Sequence, residues 1–556
     1  MLRPAAALLS FAFGFGLCLH HGRVGLMPLD QSIVFDGAWR LVCGQVPFRD
    51  FTTPAGLVPM ALQAVLFRLL GVSWLVYCLH AALFNGLFCV LAFRLLDRLG
   101  AGVKAAALYA LLSGVVFYPP FGVPYMDQHA FFFSLAVVAA AVEAVVSSPG
   151  PRRSLCLAAA PWLLAAAYLS KPIPTVYLLP LLAALPWIAP GRLRGSGRPL
   201  LASSAVLAAV LAAALLTVDR SLIVESLFTR PGHEGRVRLV ALLAPAAFAG
   251  QAGELLRAAS LFSLGPTLLG ALVFLLLRAG AGTPGGDVGH RGRPALALYL
   301  LATCAAFVMV TDNQAENGIP FVFLAAGLVH GEVVARVRGG GGRWLAAGAL
   351  LLPATSVVDA LRFERRVNET RMVHELDGVA SAARAAVRHL PAALRFLEWR
   401  LHPFYRFLPE HLAEVVSFLR AREGAVYVFG DLTLLYALTG RESAGPTLWL
   451  HPGLTLPEPH EAGFARWEER LVADLERRRV RFVVRESRQT YNGLRLSRLP
   501  RLVRYIEARE WRRTSFGPID VIEVQGAPAT VRHGEGRAGV PGDRWARVGD
   551  AVPSDR

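Results

Sequence analysis

Three carboxylates, Asp30, Asp36 and Asp50, share one polar stretch, residues 28–56. A carboxylate held at a membrane surface and partly desolvated can take the proton of an acceptor hydroxyl. If the other reactant is a sugar on a lipid phosphate, the leaving group is already good. The chemistry then needs a base on the acceptor and a cation on the phosphate. Asp30 is the candidate base. Lys171, between an apolar run at 154–170 and Pro172, is the candidate cation, with Arg49 as a second. A Lys at a helix end can meet a lipid phosphate at headgroup depth; the same position equally suits a Lys that snorkels to the interface. Asp36 and Asp50 would support the stretch.

Two further groups carry polar chemistry. Asp127-Gln128-His129 opens an apolar run at 128. Asp127 reads equally as a helix cap. His129 could join an aspartate around a metal, although one His and one Asp without a fixed spacing do not define a metal site. Asp312, Asn313, Glu316 and Asn317 could line an acceptor site, and ordinary loop polarity explains them as well.

Membrane helices must position these groups. Apolar residues make up 54% of the chain and charged ones 17%, with a mean hydropathy of +0.46, which excludes an ordinary soluble domain over most of the length. Apolar windows long enough to cross a bilayer recur at 5–27, 74–96, 103–118, 128–147, 154–170, 172–189, 199–217, 259–279, 295–311, 318–336 and 343–358, which predicts about eleven spans. The segment 57–70 reads as an amphipathic helix interrupted by Arg68, and 237–250 is ambiguous between interface and span. The first window lacks a clear small-residue cleavage site, so it reads as a retained helix rather than a removed signal.

Loop charge sets the orientation. Arg98 with Lys104, then Arg152 and Arg153, then Arg192, Arg194 and Arg198, and later Arg278, Arg291, Arg293, Arg336, Arg338 and Arg343 fall on alternate connections, on the same side as Arg3. Positive residues favour the cytoplasmic side, which predicts a cytoplasmic N-terminus. The polar connections 28–56, 118–127, 170–172, 218–258 and 311–318 then face outward, as does everything after 358. The net charge of +17 is accounted for by these loops and lacks the basic-aromatic motif of a nucleic-acid binder. The six cysteines show no CxxC pair or zinc spacing and read as small buried hydrophobes.

After 358 the composition turns soluble. Residues 359–423 read as a helical linker at the membrane surface. Runs at 425–429, 480–484 and 521–524 read as strands around a charged amphipathic helix at 461–479, predicting a small α/β domain over 424–525. Gly430-Asp431, at a strand end, could touch a ligand or be a plain turn. Residues 526–556, rich in Gly, Pro and Arg, read as a disordered tail.

The stretch 28–56 resembles the first loop of GT-C type integral-membrane glycosyltransferases, which include the protein O-mannosyltransferases and the lipid A aminoarabinose transferases. The residues that carry the resemblance are Asp30, Gly44, Pro47, Phe48, Arg49, Asp50, Phe51, Pro54 and Gly56. Gln31 stands where the family often has Glu, which weakens any two-carboxylate or metal-assisted version. The layout agrees along nearly the whole chain: residues 1–358 a polytopic helix bundle, followed by the extracytoplasmic domain. The resemblance implies a polyprenyl-phosphate-sugar donor, an inverting transfer, an extracytoplasmic lipid, glycan or protein acceptor and a location in the bacterial inner membrane. It implies no nucleotide cofactor and leaves a divalent cation open. Two rivals predict different behaviour. A flippase for a lipid-linked saccharide would move its substrate without breaking a bond, and the scarcity of charge in mid-span argues against it. A non-catalytic envelope assembly protein would not need Asp30 or Lys171.

Overall fold

A computed structural model describes residues 2–26, 28–182, 197–261, 267–268, 270–272, 288–310, 319–338, 343–368, 390–399, 408–486 and 494–525. The chain is mostly helical. Eight helices build its first part: α1 (Leu2–Gly22), α2 (Pro28–Val42), α3 (Leu57–Leu70), α4 (Trp74–Arg98), α5 (Val103–Val116), α6 (Met126–Val146), α7 (Pro151–Ser170) and α8 (Pro172–Val176). Further helices run over Gly197–Leu215, Arg230–Ala241, Pro245–Leu261, Val288–Val310, Val322–Arg338 and Arg343–Phe363.

Among the described residues, six helices are long and apolar enough to cross a membrane: Leu2–Gly22, Trp74–Arg98, Met126–Val146, Pro151–Ser170, Gly197–Leu215 and Leu345–Asn368. Four shorter apolar helices accompany them, Leu57–Leu70, Val103–Val116, Pro172–Leu182 and Arg293–Phe307. The expected span at 259–279 falls mostly outside the described residues. α1 ends at Gly22, earlier than the window 5–27 implied, because Val24 leaves the helix to bridge Glu398. Asn85 holds the heart of the bundle: its Nδ2 donates to the carbonyls of Gly14 at 2.7 Å and Gly114 at 3.1 Å, joining α1, α4 and α5.

What reads in sequence as one polar loop, 28–56, is half helix. α2 is a 15-residue helix whose Ile33, Val34, Phe35 and Ala38 are buried. The helix passes close to α3: a Cβ on Gly37 would lie 1.9 Å from Met60 Sδ, so a larger residue there would require the Met60 side chain to move.

The C-terminal domain holds a four-stranded sheet in the order β1-β2-β4-β3, with β1 (Ala425–Phe429) parallel to β2 (Val480–Glu486), and β4 (Ile519–Gln525) antiparallel to both β2 and β3 (Glu510–Phe516). β3 was not anticipated, since Arg512 and Arg513 on an exposed edge strand erase the apolar signal. Alternation along the strands divides the sheet into two faces. Tyr427, Phe429, Val483, Ile522 and Val524 pack against the helices Ala462–Arg477 and Pro500–Glu507. Val426, Val428, Phe482, Val484, Ile519 and Val521 pack on the helix Pro409–Arg420, and the same core continues into Phe35, Phe51, Met60 and Phe67 of the 28–70 region. Pro409–Arg420 thus packs on the sheet, although sequence assigned it to a surface linker. Its Leu412, Val415, Val416 and Leu419 follow the i, i+3, i+4, i+7 spacing of a buried helix stripe. Residues 369–389 and 400–407 of that linker, and the tail 526–556, lie outside the described residues.

Candidate active site

Four of the polar connections predicted to share one side, 28–56, 118–127, 170–172 and 218–258, are joined by hydrogen bonds or ion pairs. Asp30 is the third residue of α2. Next to it, Gln31 Nε2 donates to the Phe121 carbonyl at 3.3 Å, and its own carbonyl accepts from the Tyr77 hydroxyl at 2.8 Å. The start of α2 is therefore tied to α4 and to the 118–125 turn that leads into α6. At the other end of the stretch, Gly56 N donates to Ser170 O at 2.8 Å, next to Lys171. Asp219 N donates to Phe48 O at 3.1 Å, which brings in the connection at 218–258.

Lys171 caps the end of α7, its N–H donating to Ala167 O at 3.0 Å. Pro172 lacks an N–H and cannot continue α7, so the chain breaks here and α8 restarts on a new axis. The break points the Lys171 ammonium at Asp127 on the first turn of α6. Nζ donates to Oδ2 at 2.9 Å and lies 2.7 Å from Oδ1. The same ammonium sits 5.9 Å from the centre of the Phe307 ring. Asp127 is 1% exposed and Lys171 is 19% exposed, so the pair is buried on one side and open on the other. Sequence named both residues without pairing them.

A small, mostly apolar void of about 10 Å³, room for about one water, lies deeper among the same helices. Phe131, Leu135 and Val138 line it from α6, on the face that begins with Asp127. Pro174 and Leu178 line it from the α8 segment, and Thr303 from the helix that carries Phe307. Nothing in the local sequence marks these residues as a set, because they come from distant segments.

His129 faces elsewhere. Its Nδ1 meets the Tyr118 hydroxyl and lies 3.1 Å from Tyr125 O, while its Nε2 lies 3.0 Å from His80 Nε2. His80 Nδ1 in turn meets Gln63 Oε1 at 2.9 Å. Asp127 and His129 thus do not converge on a shared metal position. Among the described residues, no group of three or more His, Cys, Asp or Glu gathers in metal-binding geometry. Asp312 and Glu316 lie outside the described residues.

The other first-stretch carboxylates are already committed. Asp36 pairs with Arg40 one turn along α2 at 3.0 Å and accepts from Ser443 Oγ at 2.6 Å. Burial pushes the Asp36 carboxyl above the usual carboxylate range, against the pull of the Arg40 guanidinium and the Ser443 hydroxyl. Asp50 sits in the turn after α2, its Oδ2 accepting from Val46 N at 2.7 Å and from Arg49 Nη2 at 2.8 Å. Partial burial alone would raise its carboxyl; the Arg49 bond and the Val46 N–H together hold it below the usual range. Arg49 is exposed, and its described polar contact is with Asp50.

No family model matches the sequence, and no curated protein matches it. Solved structures do. ArnT from Cupriavidus metallidurans in the apo state aligns with a TM-score of 0.50 at 13% identity, covering 93% of this chain and 97% of that one. ArnT from the same organism bound to undecaprenyl phosphate gives a TM-score of 0.49 at 13% identity, over 94% and 97%. The Archaeoglobus fulgidus oligosaccharyltransferase in complex with Zn and sulfate gives 0.42 at 13% identity, over 86% and 68%. The apo ArnT alignment, nearly complete on both chains, shows that this chain has the ArnT-like GT-C fold.

Proposed function

We propose that this chain, with its GT-C fold, is a membrane glycosyltransferase that moves a sugar from a polyprenyl phosphate onto an extracytoplasmic hydroxyl. The observation that carries this reading is the partly open Lys171–Asp127 pair at the break between α7 and α8. A partly open ammonium at the end of an apolar helix suits a ligand that is anionic at one end and hydrocarbon at the other. Lys171 has three N–H donors, so it can take a phosphate oxygen while keeping Asp127. Asp127 holds the ammonium in place before the donor arrives.

In this reading Asp30 takes the proton of the acceptor hydroxyl. The acceptor oxygen attacks the anomeric carbon from the face opposite the phosphate, the bond from that carbon to the phosphate oxygen breaks, and the polyprenyl phosphate leaves. Lys171 takes up the charge that grows on the departing phosphate. Arg49 and Asp50 shape the turn that follows α2, and Asp312 and Glu316 are proposed as contacts of the acceptor. The described donors do not fit a divalent cation: Asp127 holds Lys171, and both His129 nitrogens are engaged. No step is routed through a metal. The N-terminus is cytoplasmic, and the sheet domain faces outward.

The test is transfer from a polyprenyl-phosphate sugar by the purified protein in liposomes. Asp30→Asn should lower turnover by about 10²–10⁴-fold, the usual contribution of a general base, with membrane insertion intact. Normal turnover by this variant would defeat the assignment, and donor translocation without cleavage would favour a flippase.

A further inference from the structure

We infer that the C-terminal α/β domain is part of the catalytic unit, holding α2 in one orientation through the buried Asp36–Arg40 pair and so positioning Asp30. The inference rests on the reading of Asp30 as base.

Asp36 is fully buried and Arg40 is 1% exposed. Every nitrogen of the Arg40 guanidinium has work to do. Nε donates to Asp36, Nη1 to Gly445 O at 2.8 Å and Nη2 to Thr447 O at 3.3 Å, and the plane lies 5.0 Å from the centre of the Phe51 ring. The second oxygen of Asp36 takes the Ser443 hydroxyl. Trp39 Nε1 donates to Arg441 O at 2.7 Å, and Gln45 Nε2 to Ser443 O at 2.9 Å. Thr52 N donates to Pro446 O at 2.9 Å, and Leu448 N to Thr52 O at 3.2 Å.

All these partners belong to one segment, 441–448, and most are backbone carbonyls. A carbonyl in the main chain cannot swivel to follow a drifting side chain, so the pattern is satisfied in one register. The segment itself is held to the sheet domain, with Ser443 bridging Val426 on β1. Asp30 lies six residues before Asp36 on the same helix, about 9 Å along its axis. A helix over that length is a stiff lever, so a fixed Asp36 fixes the backbone at Asp30. A buried ion pair is a poor source of stability and a good specifier of one geometry. Asp36, Arg40 and Ser443 are therefore positioning residues, acting through Asp30.

The experiment replaces the pair in the full-length protein by apolar residues, Asp36→Leu with Arg40→Met. Swapping a buried pair for apolar groups tends to preserve folding while deleting the directional bonds. The expected result is a folded protein with a lower thermal midpoint, because Gly445 O, Thr447 O and the Ser443 hydroxyl lose these partners, together with faster amide exchange over 28–42, a kcat lower by about 10²-fold and a donor KM within about twofold. A purely structural pair would leave kcat at the wild-type value in this variant. Ser443→Ala, which removes one bond only, should move exchange and kcat in the same direction by less, and it carries both readouts if the double variant fails to fold. Wild-type kcat or unchanged exchange over α2 in a folded variant overturns the inference. If the wild-type protein transfers no sugar, the function proposed above falls, and the exchange measurement alone decides whether the domain holds α2.

Discussion

Two buried ion pairs, Lys171–Asp127 and Arg40–Asp36, flank the same region and are built on opposite plans. In each the carboxylate is at most 1% exposed. Arg40 is as buried as its partner, and its three nitrogens, together with both oxygens of Asp36, are engaged. Lys171 keeps 19% of its side chain exposed, and its contacts are one carboxylate and one ring face. A closed pair, with every nitrogen engaged and no face reached by water, can only hold a shape. An open pair, with part of its cation exposed, can accept a ligand. The comparison teaches that burial of a charge does not by itself mark a binding site; what matters is whether the cation keeps an open face.

Arg40→Ala should test the closed pair most severely. It leaves a buried carboxylate without its guanidinium, at a cost of about 3–5 kcal/mol, visible as a large fall in the thermal midpoint of the detergent-solubilised protein. Lys171→Met should act on catalysis instead. We expect transfer to fall by about 10²–10³-fold, with a smaller thermal effect because water reaches the mouth of that pair. Lys171→Arg should restore part of the activity, since it keeps a cation for the phosphate. If Arg40→Ala proves thermally silent while Lys171→Met unfolds the protein, the two plans have been assigned the wrong way round.

Asp50→Asn is the smallest effect, less than about 1 kcal/mol, because its partner Arg49 is 55% exposed and screened by water. The pH dependence has a defined sign. The Asp50 carboxyl is held below its ordinary value of 3.8, so its contribution is present above pH 3.8 and is lost as pH falls through the lower folded value. Thermal melts of wild type and Asp50→Asn should converge in acid and separate above that pH.

Hydropathy made most of the bundle legible, because apolar windows of bilayer length have few other meanings. The break between α7 and α8 was visible in Lys171-Pro172 for an equally local reason. The grouping of Asp30, Asp36 and Asp50 as one acidic loop did not survive. Residues six apart on a helix are turned by about 240°, so Asp30 and Asp36 cannot share a face once 28–42 is helical, and Asp50 lies beyond the helix end. α2 was missed because the polar residues 30, 31, 36 and 40 mask an apolar set at 33, 34, 35 and 38. The pairing of Lys171 with Asp127 bridges 44 positions, and that of Arg40 with Gly445 bridges 405. Local pattern says nothing about contacts of that range.

The separation between Arg40 and Gly445 also has a temporal side. At roughly 5–20 residues per second of synthesis, the ribosome delivers the 441–448 segment about 20–80 s after α2. Through that interval the nascent chain carries an unfinished helix hairpin at the membrane surface, its arginine still hydrated and its apolar stripe uncovered. Biogenesis of this protein therefore has a vulnerable window that closes only once the 441–448 segment has been made, and a premature stop before the sheet would leave that hairpin as a target for quality-control proteases.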